Sequence, residues 1–152
     1  MFEIKDLVLI NCNKHQVYNK LLYYFKSTNN YKEWHKDHIS CEWIKGSDFS
    51  IGSILSAKEI LHNTIHQLSF KIIKANIEDG IEYKVLFPFT ILKCYGYFNF
   101  KEKGNKTIFI AGLRFGINPV FRKLFTNQIN SLLKHIKEEG ISLKYSIEKD
   151  II

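Results

Sequence analysis

The most informative part of the sequence is the stretch VFRKLFTNQINSLLKHIKEEGISLKYSIEK, residues 120–149. Its apolar residues recur at a spacing close to 3.6, which is typical of an amphipathic α-helix. Pro119 stands just before it, where proline is tolerated in a first helical turn. The stretch therefore predicts one long C-terminal helix, bent at Gly140, with an apolar stripe that another element must bury.

The residues before this helix alternate between apolar and polar side chains in segments separated by short turn signals, which predicts antiparallel strands. The expected strands are residues 2–10, 38–45, 53–61, 64–75, 81–87, 91–101 and 106–115. Residues 14–26 carry apolar residues at helical spacing and predict a short helix after the first strand. Residues 31–38 are expected to form a connection rich in aromatic rings.

A sheet with one apolar face and a helix with one apolar stripe bury each other most economically when the sheet curves around the helix. We therefore expect an α+β fold in one domain, residues 1–152, with about seven antiparallel strands wrapped around the C-terminal helix. Such an arrangement leaves a cavity between sheet and helix, where small ligands bind in many proteins. The expected lining residues are Phe70, Phe87, Phe98, Leu113, Phe125 and Leu132.

Charged and imidazole side chains stand at positions where the periodicity demands apolar ones. Glu139 lies in the centre of the apolar stripe of the last helix, and His135 lies one turn earlier on the same side. Glu59 shares a face with the apolar residues of its strand, and His35 or His38 enters the strand before it. Two histidines and two carboxylates suit zinc or a similar ion. The alternative is a hydrogen-bonded pair on the helix at the cavity mouth, with loop histidines at a strand entrance.

Charge and cysteine content exclude several classes of protein. The net charge of +7 comes almost wholly from lysines dispersed along the chain, because only Arg114 and Arg122 are arginines. This pattern predicts a solvated basic surface with weak attraction to anionic surfaces, and no specific nucleic-acid reader. The three cysteines lack metal-binding spacing, and the first ten residues are charged. We therefore expect a reduced, cytoplasmic protein with neither a signal peptide nor a transmembrane segment.

Five segments carry a resemblance to a known superfamily. They are WHKDH (34–38), WIKG (43–46), LFP (86–88), YFNF (97–100) and HIKEEGISLK (135–144). With the order of elements they resemble the helix-grip (SRPBCC, START-like) superfamily and its bacterial polyketide cyclase/dehydrase branch. A weaker likeness is to the zinc-dependent diacetylphloroglucinol hydrolases.

The resemblance implies a metal site of His38, Glu59, His135 and Glu139 holding Zn²⁺ or another divalent cation, with His35 as the alternative to His38. It implies a small hydrophobic ligand (a lipid, an aromatic or a polyketide-like molecule) and metal-dependent hydrolase, lyase or cyclase chemistry. His66 and Tyr83 are then candidates for proton transfer. The alternative is a carrier of lipids or other hydrophobic molecules that uses no metal and catalyses no reaction.

Overall fold

The computed structural model describes residues 1–86 and 92–151, which form seven strands, four α-helices and a final 3₁₀ turn. The strands are β1 (Phe2–Ile10), β2 (His38–Lys45), β3 (Ile54–Leu61), β4 (Thr64–Asn76), β5 (Gly80–Val85), β6 (Cys94–Lys103) and β7 (Lys106–Phe115). The helices are α1 (Lys14–Tyr24), α2 (Thr28–Trp34), α3 (Pro119–Leu124) and α4 (Thr126–Glu148). Phe87, which was expected to line the cavity, lies outside the described residues.

The strands form one antiparallel sheet in the order β1-β7-β6-β5-β4-β3-β2. Neighbours in sequence are neighbours in the sheet, except that β1 pairs with β7 along its whole length, from Phe2 opposite Phe115 to Ile10 opposite Thr107. This meander confirms the predicted antiparallel sheet of seven strands. The edge strands are β1 and β2, and β2 begins with His38, a residue of the site described below.

The concave face of the sheet packs on α4 and on the two N-terminal helices. The fully buried side chains include Leu143 on α4, Leu21 and Tyr24 on α1, and Trp34 at the end of α2. Gly140 faces β1, and a Cβ atom there would already lie 3.5 Å from Val8 Cγ1. This is an ordinary van der Waals distance, so a Cβ atom would fit at position 140, and α4 continues through the glycine.

The prediction of one continuous C-terminal helix bent at Gly140 was wrong in part, because the segment forms two helices and the interruption is not at Gly140. The break is at Phe125, whose backbone (φ −109°, ψ 23°) leaves the helical region and ends α3 before α4 begins. Asn118 starts α3, because its side chain accepts hydrogen bonds from the N–H groups of Val120 and Phe121. Neither glycine nor proline marks position 125, so residue type alone did not reveal the break.

The prediction of an irregular connection over residues 31–38 was also wrong in part. Ser27 accepts a hydrogen bond from the Asn30 N–H at 3.1 Å and caps α2, which contains Tyr31 and Trp34. A serine before a short polar segment serves as a helix start as readily as a turn, and here the burial of the two aromatic rings favours the helix. Within the described residues, no helix is both long and apolar enough to span a bilayer.

Candidate metal centre and apolar cavity

His38, the first residue of β2, is held in one orientation from two sides. Its Nδ1 lies 3.0 Å from the Tyr31 carbonyl oxygen, which can only accept, so Nδ1 carries the hydrogen. The Tyr31 ring stacks on the imidazole with centroids 3.9 Å apart. Nε2 lies 2.8 Å from Glu139 Oε1 on α4. The imidazole is therefore fixed with Nδ1 toward the α2 backbone and Nε2 toward Glu139 on the helix.

Glu59 reaches the same place from β3, because the register sets it directly opposite His38. Its Oε1 accepts a hydrogen bond from the Tyr31 hydroxyl, and its Oε2 lies 3.6 Å from His135 Nε2. Glu59 is buried, as its strand alternation indicated. A carboxylate in an apolar face is costly unless it is paired, and here one oxygen has Tyr31 while the other faces His135.

The helix side of the centre is the pair His135 and Glu139, four residues apart on α4. His135 Nε2 lies 3.2 Å from Glu139 Oε1, but not in hydrogen-bond geometry. This nitrogen is buried and has no hydrogen-bond partner. The Glu139 carboxylate is nearly buried between His38 and His135.

The residues from the sheet and the residues from α4 form one cluster. His38, Glu59, His135 and Glu139 each offer one ligand atom, and these four atoms lie within 4.8 Å of one another. The structure thus brings together all four residues expected to form the metal site. The sheet supplies His38 and Glu59 by register, and α4 supplies the other two by helical spacing.

Electrostatics within the cluster are strongly coupled. Burial alone would lower the pKa of His135, but the negative charges of Glu139 and then Glu59 outweigh it and raise that pKa to about 9. Burial would raise the pKa of Glu139, but the positive charge of His135 and the hydrogen bond with His38 hold it well below the usual value. The pKa of His135 and the pKa of Glu139 are thus shifted in opposite directions by their mutual attraction.

His35, the alternative to His38, is engaged elsewhere. Its Nδ1 accepts a hydrogen bond from the Asp37 N–H at 3.0 Å, and its Nε2 lies 2.8 Å from Glu138 Oε2. Both ring nitrogens are therefore occupied by groups outside the four-residue cluster. Burial lowers the pKa of His35, although Glu138 opposes this effect. The geometry favours His38 as the ligand, with His35 packed against His135 at a centroid distance of 4.5 Å.

The cluster forms one end of a cavity of about 490 Å³ between sheet and helices. Phe70, Phe98, Leu113, Phe125 and Leu132 all line it, as expected from the sequence. Glu59, His135 and Glu139 also face the cavity, whereas His38 stands behind Glu139 with its side chain fully buried. An apolar molecule in this cavity would meet its charged groups chiefly at one end.

The two residues expected to transfer protons also line the cavity. His66 is half-buried on β4 and lies opposite Glu59 in the register, so β2, β3 and β4 set His38, Glu59 and His66 side by side. Tyr83 on β5 lies across Gly96, where any side chain would collide with its ring. Burial, followed by the charge of Glu139, raises the pKa of Tyr83 well above the usual value, so its hydroxyl keeps its proton at neutral pH.

Sequence reasoning did not find that Tyr31 and Trp34 position the metal-binding residues. The Trp34 indole N–H donates to the Glu139 carbonyl at 3.0 Å, and the Ser142 hydroxyl donates to the Trp34 carbonyl at 2.5 Å. These bonds fix the end of α2 against α4 at the level of the cluster. The sequence signal was the spacing of Tyr31 and Trp34, three residues apart and just before two histidines. This spacing puts both rings on one face only if residues 28–34 are recognised as a helix.

Comparison with known proteins gives the fold a name. No family model matches the chain, and no curated protein matches it significantly. Solved structures do match along nearly its whole length. A norcoclaurine synthase point mutant from Thalictrum flavum, in complex with a transition state analogue, superposes with a TM-score of 0.79 at 11% identity, covering 99% of this chain and 96% of that one. The chain has the helix-grip fold.

Other helix-grip structures support the same conclusion. The ZhuI aromatase/cyclase from Streptomyces sp. R1128 has a TM-score of 0.78 at 8% identity, covering 99% of this chain and 96% of that one. Ara h 8.0201 has a TM-score of 0.75 at 9% identity and covers 97% of this chain and 98% of its own. The predicted resemblance is thus confirmed for the fold, with aromatase/cyclases among its neighbours. At such identities the ligand and the reaction have to be argued from the site.

Proposed function

We propose that this helix-grip protein binds a small hydrophobic molecule in its cavity and acts on it with a divalent metal ion held by His38, Glu59, His135 and Glu139. The observation that carries the proposal is the buried Nε2 of His135, which has no hydrogen-bond partner and lies within 3.6 Å of oxygens from both carboxylates. A buried polar atom without a partner costs about 1–3 kcal/mol. A cation among these atoms would satisfy the nitrogen and both carboxylates together.

The chemistry of the donors fits zinc better than magnesium or calcium. Two imidazole nitrogens with two carboxylate oxygens match the ligands that zinc accepts, whereas magnesium and calcium prefer oxygen alone. The Tyr31 carbonyl already holds the His38 Nδ1 hydrogen and directs Nε2 toward Glu139, another residue of the cluster. Hydrogen bonds of this kind from outside the ligand shell are the usual way of orienting a metal-binding imidazole.

The cavity limits the class of molecule that fits. Its lining is mainly aromatic and aliphatic, with charged groups gathered at the cluster. This arrangement suits a molecule with an apolar body and a polar oxygen function at one end, such as an aromatic or alkyl ketone. A bound zinc ion supplies Lewis acidity, which polarises a ketone or lowers the pKa of water. His66 and Tyr83 line the same cavity, which supports assigning proton transfer to them.

Metal content measured on untagged protein tests the first step. After exposure to zinc and removal of excess metal, we expect about one equivalent in the wild type and a loss of most of it in His135→Gln and Glu59→Gln. His15→Gln and Glu42→Gln are matched controls, because both residues are exposed and lie outside the cluster. Less than about half an equivalent in the wild type would refute the metal centre.

The second candidate is a carrier without metal, and the charge balance within the cluster favours it. Each carboxylate already has a partner without any ion, since Tyr31 contacts Glu59 and His38 contacts Glu139. A carrier predicts that Glu139→Ala retains the affinity for a co-purified apolar ligand, detected by native mass spectrometry. The metal-dependent function predicts that the same variant loses both the metal and turnover of the ligand.

A further inference from the structure

The helix α3 and the residue that follows it, Phe125, carry large apolar side chains that the described part of the protein leaves largely uncovered. Val120 and Leu124 are 66% and 70% exposed, and Phe121 and Phe125 are 48% and 41% exposed. We call these four residues the α3 patch. No residue of α3 is buried, unlike in the other three helices. Contiguous exposed apolar surface of this kind marks an interaction site in a folded protein.

The α3 patch is continuous with the inside of the cavity. Phe121 and Phe125 line the cavity as well as facing solvent, and their rings stack nearly parallel with centroids 6.4 Å apart. A molecule entering or leaving between α3 and the sheet would therefore move along apolar side chains. The α3 patch therefore adjoins the space in which an apolar ligand would bind according to the proposed function.

The surroundings of the α3 patch are cationic. Arg122 and Lys123 are exposed on α3 itself, and the exposed Lys93 lies beside Gly116, shortly before the helix. No aspartate or glutamate occurs between Glu102 and Glu138. Around α3, Arg122 covers the Phe2 ring at 4.2 Å. The neighbouring acid, Glu3, is engaged by Arg114 and Tyr97.

We propose that α3 docks the protein on an anionic lipid bilayer, with the α3 patch inserted among the acyl chains and Arg122, Lys123 and Lys93 at the head groups. An amphipathic surface with apolar side chains and flanking cations is the arrangement that lies in a membrane interface. A second copy of the chain fits worse, because it would bring the same cations together without any acidic residue of this segment to offset them. The cavity would then open toward the lipid phase.

Vesicle co-sedimentation tests this proposal directly. Wild-type protein is expected to bind vesicles of phosphatidylcholine with one quarter phosphatidylglycerol at low salt, and to bind pure phosphatidylcholine at least about tenfold more weakly. The double variant Val120→Ser/Leu124→Ser should bind these vesicles at least about tenfold more weakly. The native Val120 and Leu124 side chains would gain free energy by moving from water into the bilayer, and serine would not. Arg122→Gln/Lys123→Gln should lose a similar factor and become less sensitive to salt.

Ile51→Ser is the matched control, since Ile51 is 74% exposed and lies in the β2–β3 loop at the other end of the sheet. This variant should bind vesicles as the wild type does. Leu124→Trp gives an independent signal, because its emission should be quenched by brominated acyl chains. Vesicle binding is measured with a chelator present and no added metal, so a failed metal centre leaves this test intact. The proposal would be overturned if the wild type did not bind anionic vesicles, or if the α3 variants bound them as tightly as the wild type. It would also be overturned if the wild type formed a dimer that the double serine variant did not form.

Discussion

Tyr31 is the residue on which the geometry of the cluster depends most. Its hydroxyl donates to Glu59, its carbonyl accepts from His38 Nδ1, and its ring stacks on the same imidazole. Burial, followed by the charge of Glu59, raises the pKa of Tyr31 well above the usual value, so it remains a donor at neutral pH. One side chain thus orients both groups that the sheet contributes to the site.

Tyr31→Phe should keep the stacked ring and remove only the hydrogen bond to Glu59. We expect metal affinity to fall by about 10–100-fold, the usual effect of removing a group that orients a ligand. Competition with a chelator would measure it. Tyr97→Phe is the matched control, because the Tyr97 hydroxyl also donates to a glutamate, Glu3 at 2.6 Å, but outside the cluster. Equal affinities for both variants would show that Tyr31 does not position Glu59.

At the scale of elements, two short helices have similar caps and opposite roles. Ser27 caps α2, which buries Tyr31 and Trp34 against α4 and leads into His38. Asn118 caps α3, in which no residue is buried. The same local interaction therefore supports a packed element in one case and a peripheral element in the other.

Ser27→Ala should lower the free energy of unfolding by about 1 kcal/mol, the typical value of an N-cap, because α2 is part of the core. Asn118→Ala should change that free energy by less than about 0.5 kcal/mol, since α3 can fray without exposing buried residues. Urea denaturation of both variants measures the difference. A larger loss for Asn118→Ala than for Ser27→Ala would contradict the view that α3 contributes little to the core.

For the molecule as a whole, the cavity provides space for a ligand but reduces the packing of the core. A space of about 490 Å³ removes contacts that a filled core would have. The surrounding structure tolerates this because lining rings stack on further rings of the core: Trp34 stacks on Tyr24, and Phe98 stacks on Phe109. The cavity thus has buried rings of α2 on its lining as well as the partly exposed rings of Phe121 and Phe125.

Leu113→Trp should fill part of the cavity and weaken binding of an apolar fluorescent probe by at least about tenfold, while leaving stability unchanged or slightly higher. Probe titration and thermal unfolding would measure the two effects. Leu7→Trp is the control, since Leu7 is exposed on β1. Unchanged probe affinity in Leu113→Trp would show that the probe, and by extension a ligand, binds elsewhere.

Glu139 and Glu59 illustrate how far the sequence leads toward the site. Each interrupts an apolar pattern whose period is fixed by backbone geometry, so both could be recognised as inward-facing without coordinates. Choosing between His35 and His38 was different, because they are only three residues apart in one segment. The choice depended on Asp37 and Glu138 taking both nitrogens of His35, contacts that no pattern predicts.

Local periodicity was sufficient for the strands, the meander and the faces on which the unusual polar residues lie, because side-chain direction repeats every two residues in a strand and every 3.6 in a helix. It could not reveal the break at Phe125, the helical state of residues 28–34 or the role of Tyr31. Each of these depends on contacts between segments distant along the chain, such as Trp34 with Glu139. Packing against a partner outweighs the weak preferences of a short segment, and only the assembled sheet and helix bring the four ligand atoms together.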